Sequence, residues 1–269
     1  MSNQFLLPAD WMQRRVRVAL IGAGGTGSQL ADALASMDAT LRRLGHDGLD
    51  LTVFDGDTVS ASNVGRSRFC GADVGLCKSL LLVHRLNQFY GVNYRAQPRH
   101  FQKADLGYQR YDLILTCTDK ASFRVALAEW GRDAKGTLWL DAGNRAVDGQ
   151  CVLGHLGQGG EDRLPNIVDL YRDQLTGEAG ERADEDQPSC STAEAVARQE
   201  WSVNRTAALV AADLLWALFR QGRLTHHGAH FRVSPMQVTP LPIDPATWAF
   251  YGYLAPKATG RKRTRRKAA

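Results

Sequence analysis

The sequence predicts a doubly wound α/β domain with a mostly parallel sheet, and three observations carry that expectation. A β-rich apolar run at residues 17–21 (Arg-Val-Ala-Leu-Ile) ends in a glycine turn and gives way to helical periodicity, the strand–turn–helix order that opens such domains. Strand-length apolar runs then alternate with helical segments as far as residue 142, a pattern that builds parallel sheets with helices on their faces. The run at residues 111–117 (Tyr-Asp-Leu-Ile-Leu-Thr-Cys) is almost continuously apolar, as a central strand buried on both faces must be.

After the turn Gly22-Ala23-Gly24-Gly25-Thr26-Gly27, Leu30, Ala31, Leu34 and Met37 recur at three- and four-residue spacing and mark a helix. A polar connector at 42–48 leads to a second strand at 49–55. Residues 76–89 read as a helix with Leu80, Leu81, Val83 and Leu86 available to face the sheet. The strand at 111–117 precedes a helix at about 121–132 and a strand at 138–142. Beyond His155 the character changes: residues 157–189 are rich in Gly, Asp and Glu around one apolar island at 164–170. A structureless loop of such length is uncommon inside a compact domain and serves as a lid or binding loop where it occurs. Residues 193–221 read as a long helix, apolar at Ala207, Leu209, Val210, Leu214, Leu215 and Leu218, and 230–240 as one more strand. The expected organisation is a Rossmann-like nucleotide-binding unit at 1–156, an acidic crossover loop at 157–192, a helix and strand at 193–256 completing the same domain, and a disordered basic tail at 257–269.

Bulk composition narrows the class. Of 269 residues, 44% are apolar and 23% charged, ordinary values for a globular chain. The net charge of +5 is misleading, because seven Lys and Arg with no acid fall in residues 257–269 and the remainder sums to −2 (5 − 7). No basic leader precedes an apolar run at the N-terminus, and no stretch approaches the ~20 apolar residues of a membrane span, so a cytoplasmic chain without membrane contact is expected. The five cysteines are scattered with no CxxC pair, which fits reduced thiols and argues against a disulfide framework or a structural zinc. Cys70, Cys77, Cys117 and Cys151 read as packing residues.

The glycine turn points to a nucleotide. Gly22 allows the tight turn, Gly24 and Gly25 let backbone approach a phosphate or ribose, and Gly27 lets the helix pack on the strand. The helix N-terminus adds free N–H groups and a positive dipole end. Asp55 ends the second strand, where an acid accepts hydrogen bonds from ribose hydroxyls; Asp57 competes for that role, and a turn cap is the bland alternative. By itself this much fits an NAD-dependent oxidoreductase equally well.

The residues after the second strand are more specific. The segment Asp55-Gly56-Asp57-Thr58-Val59-Ser60-Ala61-Ser62-Asn63-Val64-Gly65-Arg66 closely resembles the corresponding part of ThiF, MoeB and the ubiquitin-activating enzymes. The likeness continues through Gly75-Leu76-Cys77-Lys78, Cys117-Thr118-Asp119, Phe123-Arg124, Asp141-Ala142-Gly143 and Gly149-Gln150, and resumes at Pro188-Ser189-Cys190. The Leu-Pro-Asn-Ile-Val-Asp-Leu-Tyr segment at 164–171, the acidic run before Pro-Ser-Cys-Ser and Pro-Leu-Pro-Ile-Asp near the end look closer still to ThiF-related proteins of plasmid-borne PRTRC cassettes, which implies a bacterial, plasmid-encoded chain.

The resemblance implies ATP-dependent adenylation of the C-terminal carboxylate of a small ubiquitin-like protein, by a homodimer. It implies that Asp55 holds the ribose, that Asn63, Arg66 and Lys78 grip the triphosphate, that Asp119 binds Mg²⁺, and that Cys190 carries a thioester or persulfide. Each has a bland reading beside it: Arg66 and Lys78 as solvated charges, Asp119 as a helix cap, Cys190 as an idle thiol. Two features depart from the family, since no N-terminal helix presents an Arg toward a partner's γ-phosphate (Arg14 and Arg15 abut the first strand) and the CxxC zinc motifs are missing. The basic tail admits nucleic-acid binding by phosphate neutralisation or plain solubilisation; a non-catalytic nucleotide- or DNA-binding module is the remaining alternative.

Overall fold

The computed structural model describes residues 4–108, 110–157, 162–185 and 199–255. In chain order these form β1 (Phe5–Leu6), β2 (Val16–Ile21), α1 (Gly25–Arg43), β3 (Leu49–Phe54), α2 (Lys78–Tyr90), β4 (Arg95–Gln97), α3 (Lys103–Tyr108), β5 (Leu113–Thr116), α4 (Ala121–Trp130), β6 (Leu138–Asn144), β7 (Asp148–His155), α5 (Ile167–Leu175), α6 (Gly177–Glu185), α7 (Val203–Gln221), β8 (Arg223–Leu224), β9 (His226–Val233), β10 (Met236–Pro242) and α8 (Pro245–Ala249).

Eight strands form one sheet in the order β10-β9-β7-β6-β5-β2-β3-β4, with β1 and β8 paired separately. From β6 to β4 every pairing is parallel, and β7, β9 and β10 extend the sheet antiparallel. The chain leaves β2 in one direction for β3 and β4 and in the other for β5 and β6, so β2 and β5 flank the point where the strand order reverses. Right-handed crossovers place α1 and α2 on one face and α3 and α4 on the other. α7 packs on α1 and spans β6, β7 and β9, while α5 and α6 pack on α4.

The sequence dictates this layering. β2, β3, β5 and β6 are apolar on both sides, and Val18, Leu20, Leu51, Val53, Leu113, Leu115, Trp139 and Leu140 are buried between the helix layers. Asp38 of α1 is buried and engaged from three directions: it accepts from the Leu49 N–H (2.8 Å), the Tyr94 hydroxyl (2.8 Å) and the Arg42 guanidinium (2.9 Å), tying helix to sheet.

Several details depart from the sequence expectations. The single strand expected at 230–240 is a hairpin, β9 and β10, because Ser234-Pro235 reverses the chain between two β-rich runs. The presumed loop at 157–189 holds α5 and α6; Asn166 caps α5 through the N–H groups of Val168 (2.9 Å) and Asp169 (3.1 Å), a start signal hidden in an apolar island too short for a clear period. Leu80 is exposed, whereas Leu82, Val83 and Leu86 carry the buried face of α2; Leu209 is likewise exposed on α7. β4 and α3 are too short, and β7, with only Cys151, Val152 and Leu153 apolar between glycines and polar residues, too mixed to announce themselves by periodicity.

Candidate functional site

The ends of β2, β3 and β5 meet at the glycine turn. Ile21 registers with Phe54 on one side and Thr116 on the other. Beyond it, the Gly22 N–H donates to Phe54 O (2.9 Å) and the Cys117 N–H to Ile21 O (2.9 Å). Gly22 has φ +91°, and a Cβ there would sit 2.8 Å from the Cys117 carbonyl oxygen. A Cβ on Gly27 would collide with the Gly22 carbonyl oxygen, so these two glycines let α1 approach the strand end. Gly25 backs onto Asn204, whose side chain would lie 2.7 Å from an added Cβ. Gly24 differs. It is the N-cap of α1 with no side-chain cap, and the space where its Cβ would be is open. The first turn of α1 therefore presents uncapped N–H groups to an open space, the arrangement that receives an anion.

Asp55 is buried against this turn. Its Oδ2 accepts from the Ala23 N–H (2.6 Å) and its Oδ1 from the Asp57 N–H (2.8 Å). Burial pushes its carboxyl above the usual carboxylate range, with those amide bonds and the Lys78 charge opposing. Lys78 opens α2 and is itself buried; its Nζ lies 3.2 Å from Asp57 Oδ2. Asp57 thus serves as counter-ion to Lys78, while Asp55 is the acid on the glycine turn.

Asp119 follows β5, is exposed, and carries no ion pair among the described residues. The N-cap of α4 is Lys120, with no side-chain cap bond, so Asp119 does not cap that helix. The turn bearing Asp119 is held from below: Arg124 donates Nη2–H to Thr118 O (2.7 Å) and Nε–H to Asp141 Oδ1 (2.8 Å), an oxygen that also accepts from the Thr116 hydroxyl (2.5 Å). Asp141 Oδ2 is buried with no hydrogen-bond partner among the described residues.

Arg66 is half-buried, and burial lowers its guanidinium pKa. It donates from Nε to Ser62 O (2.9 Å) and from Nη1 to Gln199 Oε1 (3.0 Å). Gln199 Oε1 accepts from Asn204 Nδ2 (3.4 Å), and Asn204 Oδ1 lies 3.1 Å from the Thr26 hydroxyl, which donates to Asn144 Oδ1 (2.8 Å). Arg66 is therefore linked to the first turn of α1 and is no solvated surface charge. Asn63 lies in the same loop, but its Oδ1 accepts from the Ser60 N–H (2.9 Å) and caps its own turn. Cys190 lies outside the described residues, as does the tail at 257–269.

Thus the glycine turn, Asp55 and Lys78 come together at the strand ends, Asp119 stands at the neighbouring end of β5, and Arg66 reaches them through side chains. Thr26, Asn144, Gln199 and Asn204 carry no local sequence signal because they converge from distant elements; Arg124 is visible in the Phe123-Arg124 motif, but its task emerges only from the fold. Arg14 sits at the opposite end of β2, forked onto Asp112 (2.6 and 2.9 Å) and bonded to Asp10 (2.6 and 2.9 Å).

A family model described as the ThiF family matches residues 12–247. The chain belongs to the ThiF family. Among curated relatives of this ThiF-family chain, "Adenylyltransferase and sulfurtransferase uba4" of Pyricularia oryzae is 29% identical over 163 residues, covering 56% of this chain and 31% of that protein. "ATP-dependent ubiquitin transferase-like protein Cap2" of Escherichia coli is 35% identical over 109 residues (39% and 17%), and "Ubiquitin-like modifier-activating enzyme 5" of Caenorhabditis elegans 27% over 157 residues (53% and 34%). The chain thus spans about a third or less of the length of these relatives. Among solved structures, PaaA superposes with a TM-score of 0.60 at 16% identity, over 85% of this chain and 64% of that one. E. coli MccB with MccA-N7isoASN gives 0.60 at 15% identity, over 87% and 66%. These likenesses establish the α/β fold.

Proposed function

We propose that this ThiF-family chain adenylates the C-terminal carboxylate of a small ubiquitin-like or sulfur-carrier-like protein, joining it to the α-phosphorus of ATP and releasing pyrophosphate. The observation that carries the reading is the meeting of an uncapped helix N-terminus, Asp55 and Lys78 at the strand ends, with Asp119 beside them. The names of the relatives, an adenylyltransferase and a ubiquitin-like modifier-activating enzyme among them, point the same way.

The residues fit a nucleotide. The open space at Gly24 admits a phosphate against the α1 amides, and Asp55, fixed by two backbone N–H groups, keeps lone pairs for ribose hydroxyls. Lys78 brings a point charge and Arg66 a planar fork to the phosphates. Asn63 joins them once its amide leaves the Ser60 N–H. Asp119 is a lone carboxylate: among the described residues no group of three His, Cys, Asp or Glu side chains converges. A Mg²⁺ held there would take its other ligands from phosphate oxygens and water, as this ion prefers, and would neutralise charge growing on the leaving group.

The chemistry needs no general base, because a C-terminal carboxylate is already ionised near neutral pH. The protein's task is to aim fixed positive charge at the bridging and leaving oxygens. Arg124, by pinning Thr118 O, keeps the Asp119 turn in place for this. Transfer of the acyl group from the adenylate to the Cys190 thiolate, forming a thioester and releasing AMP, is the finer step of the proposal, as are a homodimer, a cytoplasmic setting and a PRTRC-type plasmid cassette as source.

ATP–pyrophosphate exchange in the presence of candidate small proteins with flexible C-terminal tails tests the reading. Asp119→Ala and Arg66→Ala are each expected to lower exchange at least a hundredfold, and mass spectrometry to detect the acyl-adenylate with the unaltered chain. Wild-type exchange in both variants would overturn the site assignment.

A further inference from the structure

A cavity of about 360 Å³ opens at the same end of the sheet on the α4–α5 face. Its floor is the antiparallel half, with Gln150, His230 and Arg232; Tyr171 of α5 forms a wall and Arg145, in the β6–β7 turn, the rim. The Tyr171 hydroxyl lies 3.2 Å from His230 Nε2, which is also 3.1 Å from the Tyr251 hydroxyl, so wall and floor are fastened together.

Two facts connect this cavity to the nucleotide end. Arg145 follows Asn144, the residue bonded to Thr26 in the first turn of α1. Gln150, on the floor, faces Gly143, where an added Cβ would lie 3.1 Å from Gln150 Nε2 and 3.2 Å from Arg124 Nη2. Arg124 in turn holds Thr118 O (2.7 Å) beside Asp119. A polar path therefore runs from the cavity past a side-chain-free residue to the Asp119 turn.

The charge in the cavity is unbalanced. Arg145 and Arg232 are exposed, and neither forms an ion pair among the described residues, in contrast to Arg14, Arg42, Arg85, Arg99, Arg124 and Arg163. Asp148, in register with Arg232 across β7 and β9, makes no ion pair with it. Among the described residues, two guanidiniums without an ion pair against one carboxylate leave a net positive lining in a concave site, where planar forks suit a carboxylate.

We infer that this cavity reads an acidic side chain in the tail of the protein substrate, a few residues ahead of the carboxylate delivered to the α-phosphorus of ATP, with Arg145 and Arg232 as the specificity-determining residues. The inference rests on the adenylation reading for the tail's destination. It adds what the tail must carry: a Glu or Asp that seats between the two arginines.

The test uses the full chain with ATP and Mg²⁺ and fluorescein-labelled peptides ending in Gly-Gly, in which one Glu, or its Gln twin, is scanned along the positions ahead of the glycines. By anisotropy, the best-placed Glu peptide is expected to bind about fivefold or more tighter than its Gln twin, the scale of a partly desolvated Arg–carboxylate pair. Arg145→Ala and Arg232→Ala each narrow that ratio, and the double Arg145→Glu, Arg232→Glu variant reverses it in favour of a Lys peptide. ATP-induced thermal stabilisation, measured on the same samples, stays at the wild-type value in all variants. Equal binding of the Glu and Gln peptides by the unaltered chain, no binding of either, or a Glu preference that survives loss of both arginines overturns the inference. Pyrophosphate release tells the two readings apart. Release from Glu and Gln peptides alike, without preference, sinks the cavity assignment and leaves adenylation standing; a Glu preference without release sustains the cavity and removes adenylation.

Discussion

Acid should unfold this protein well above the carboxylate range, and His227 is the reason. Its ring is fully buried between β7 and α8: Nδ1 lies 2.7 Å from Leu153 O, and Nε2 accepts from the Trp248 indole N–H at 2.8 Å. Only the neutral tautomer with its proton on Nδ1 satisfies both partners. A second proton would set Nε2–H against the indole N–H, and burial holds the imidazole pKa down to about 4. A group depressed in the folded state contributes stability that is complete above its unfolded value of 6.5 and is lost as pH falls through the folded value of about 4. That interval of about 2.5 pH units, at ~1.4 kcal/mol each, amounts to about 3 kcal/mol. His155 acts in the same direction: its Nδ1 accepts from the Leu164 N–H (3.0 Å), and burial beside Arg163 holds it to about 4. Asp55 opposes them, since its raised pKa returns some stability as pH falls. The arginine-paired Asp73, Asp105 and Asp112 are all lowered and titrate below the window. Urea denaturation at pH 7.5, 6.5, 5.5 and 4.5 should show several kcal/mol lost, mostly below pH 6.5, with the His227 ring resonances unshifted by NMR until the chain unfolds. Stability that is flat from pH 7 to 4.5, or a folded-state His227 that titrates near 6.5, would refute the reasoning.

Three more outcomes are expected at the site and its supports. Gly27→Ala forces a Cβ into the Gly22 carbonyl and should cost about 3 kcal/mol or more in denaturant melts, whereas Gly24→Ala, with open space at its Cβ, should stay within about 1 kcal/mol of wild type yet weaken ATP binding by isothermal calorimetry. Arg14→Ala strips the buried Asp112 of a forked partner and should lower stability by about 1–3 kcal/mol, with pyrophosphate exchange per folded molecule unchanged. Arg124→Ala leaves the Asp141 carboxylate buried and unpaired, which should cost about 3–5 kcal/mol; Arg124→Lys should recover part of that stability but less of the exchange rate, because a single ammonium replaces the planar fork that reaches both Asp141 and Thr118 O.

The legible parts of this chain are those written in consecutive residues. β2, the glycine turn and α1 announce themselves because strand, turn and helix signals abut. The parallel strands read as apolar runs because both of their faces are covered. Lys78 and Asp119 stand out by motif order, and the fold explains the spacing: each sits just after a strand or at a helix start on the same end of the sheet. The hidden parts depend on pairing across the chain. Asn204 and Gln199 meet Thr26 and Arg66 only because α7 lies on α1, a contact no local pattern encodes. The β9–β10 hairpin reads as one strand because exposed Met236 and Val238 continue the apolar run past the turn. Asn63 shows what motif order leaves out, since its side chain accepts from the Ser60 N–H within its own turn.

The position of Arg14 bears on where positive charge for a triphosphate can come from. β2 begins at Val16 and ends at Ile21, and six residues at ~3.3 Å each span about 20 Å. Arg14 and Arg15 therefore lie a full strand length from the glycine turn, and Arg14 would have to abandon the Asp112 and Asp10 carboxylates, whose partnership raises its own pKa. Within one chain, neither can reach phosphates seated on α1. The sequence-expected phosphate-gripping cations at that end are Lys78, anchored by Asp57, and Arg66, held by Gln199 ahead of α7. Of the two, Arg66 donates to Ser62 O and Gln199 Oε1, and a phosphate oxygen taking the place of either acceptor makes a charge-assisted contact. In the proposed mechanism, then, Gln199 positions the mobile member of the pair: Gln199→Ala should raise the KM for ATP more than it lowers kcat, whereas removing Arg66 itself raises KM and lowers kcat together.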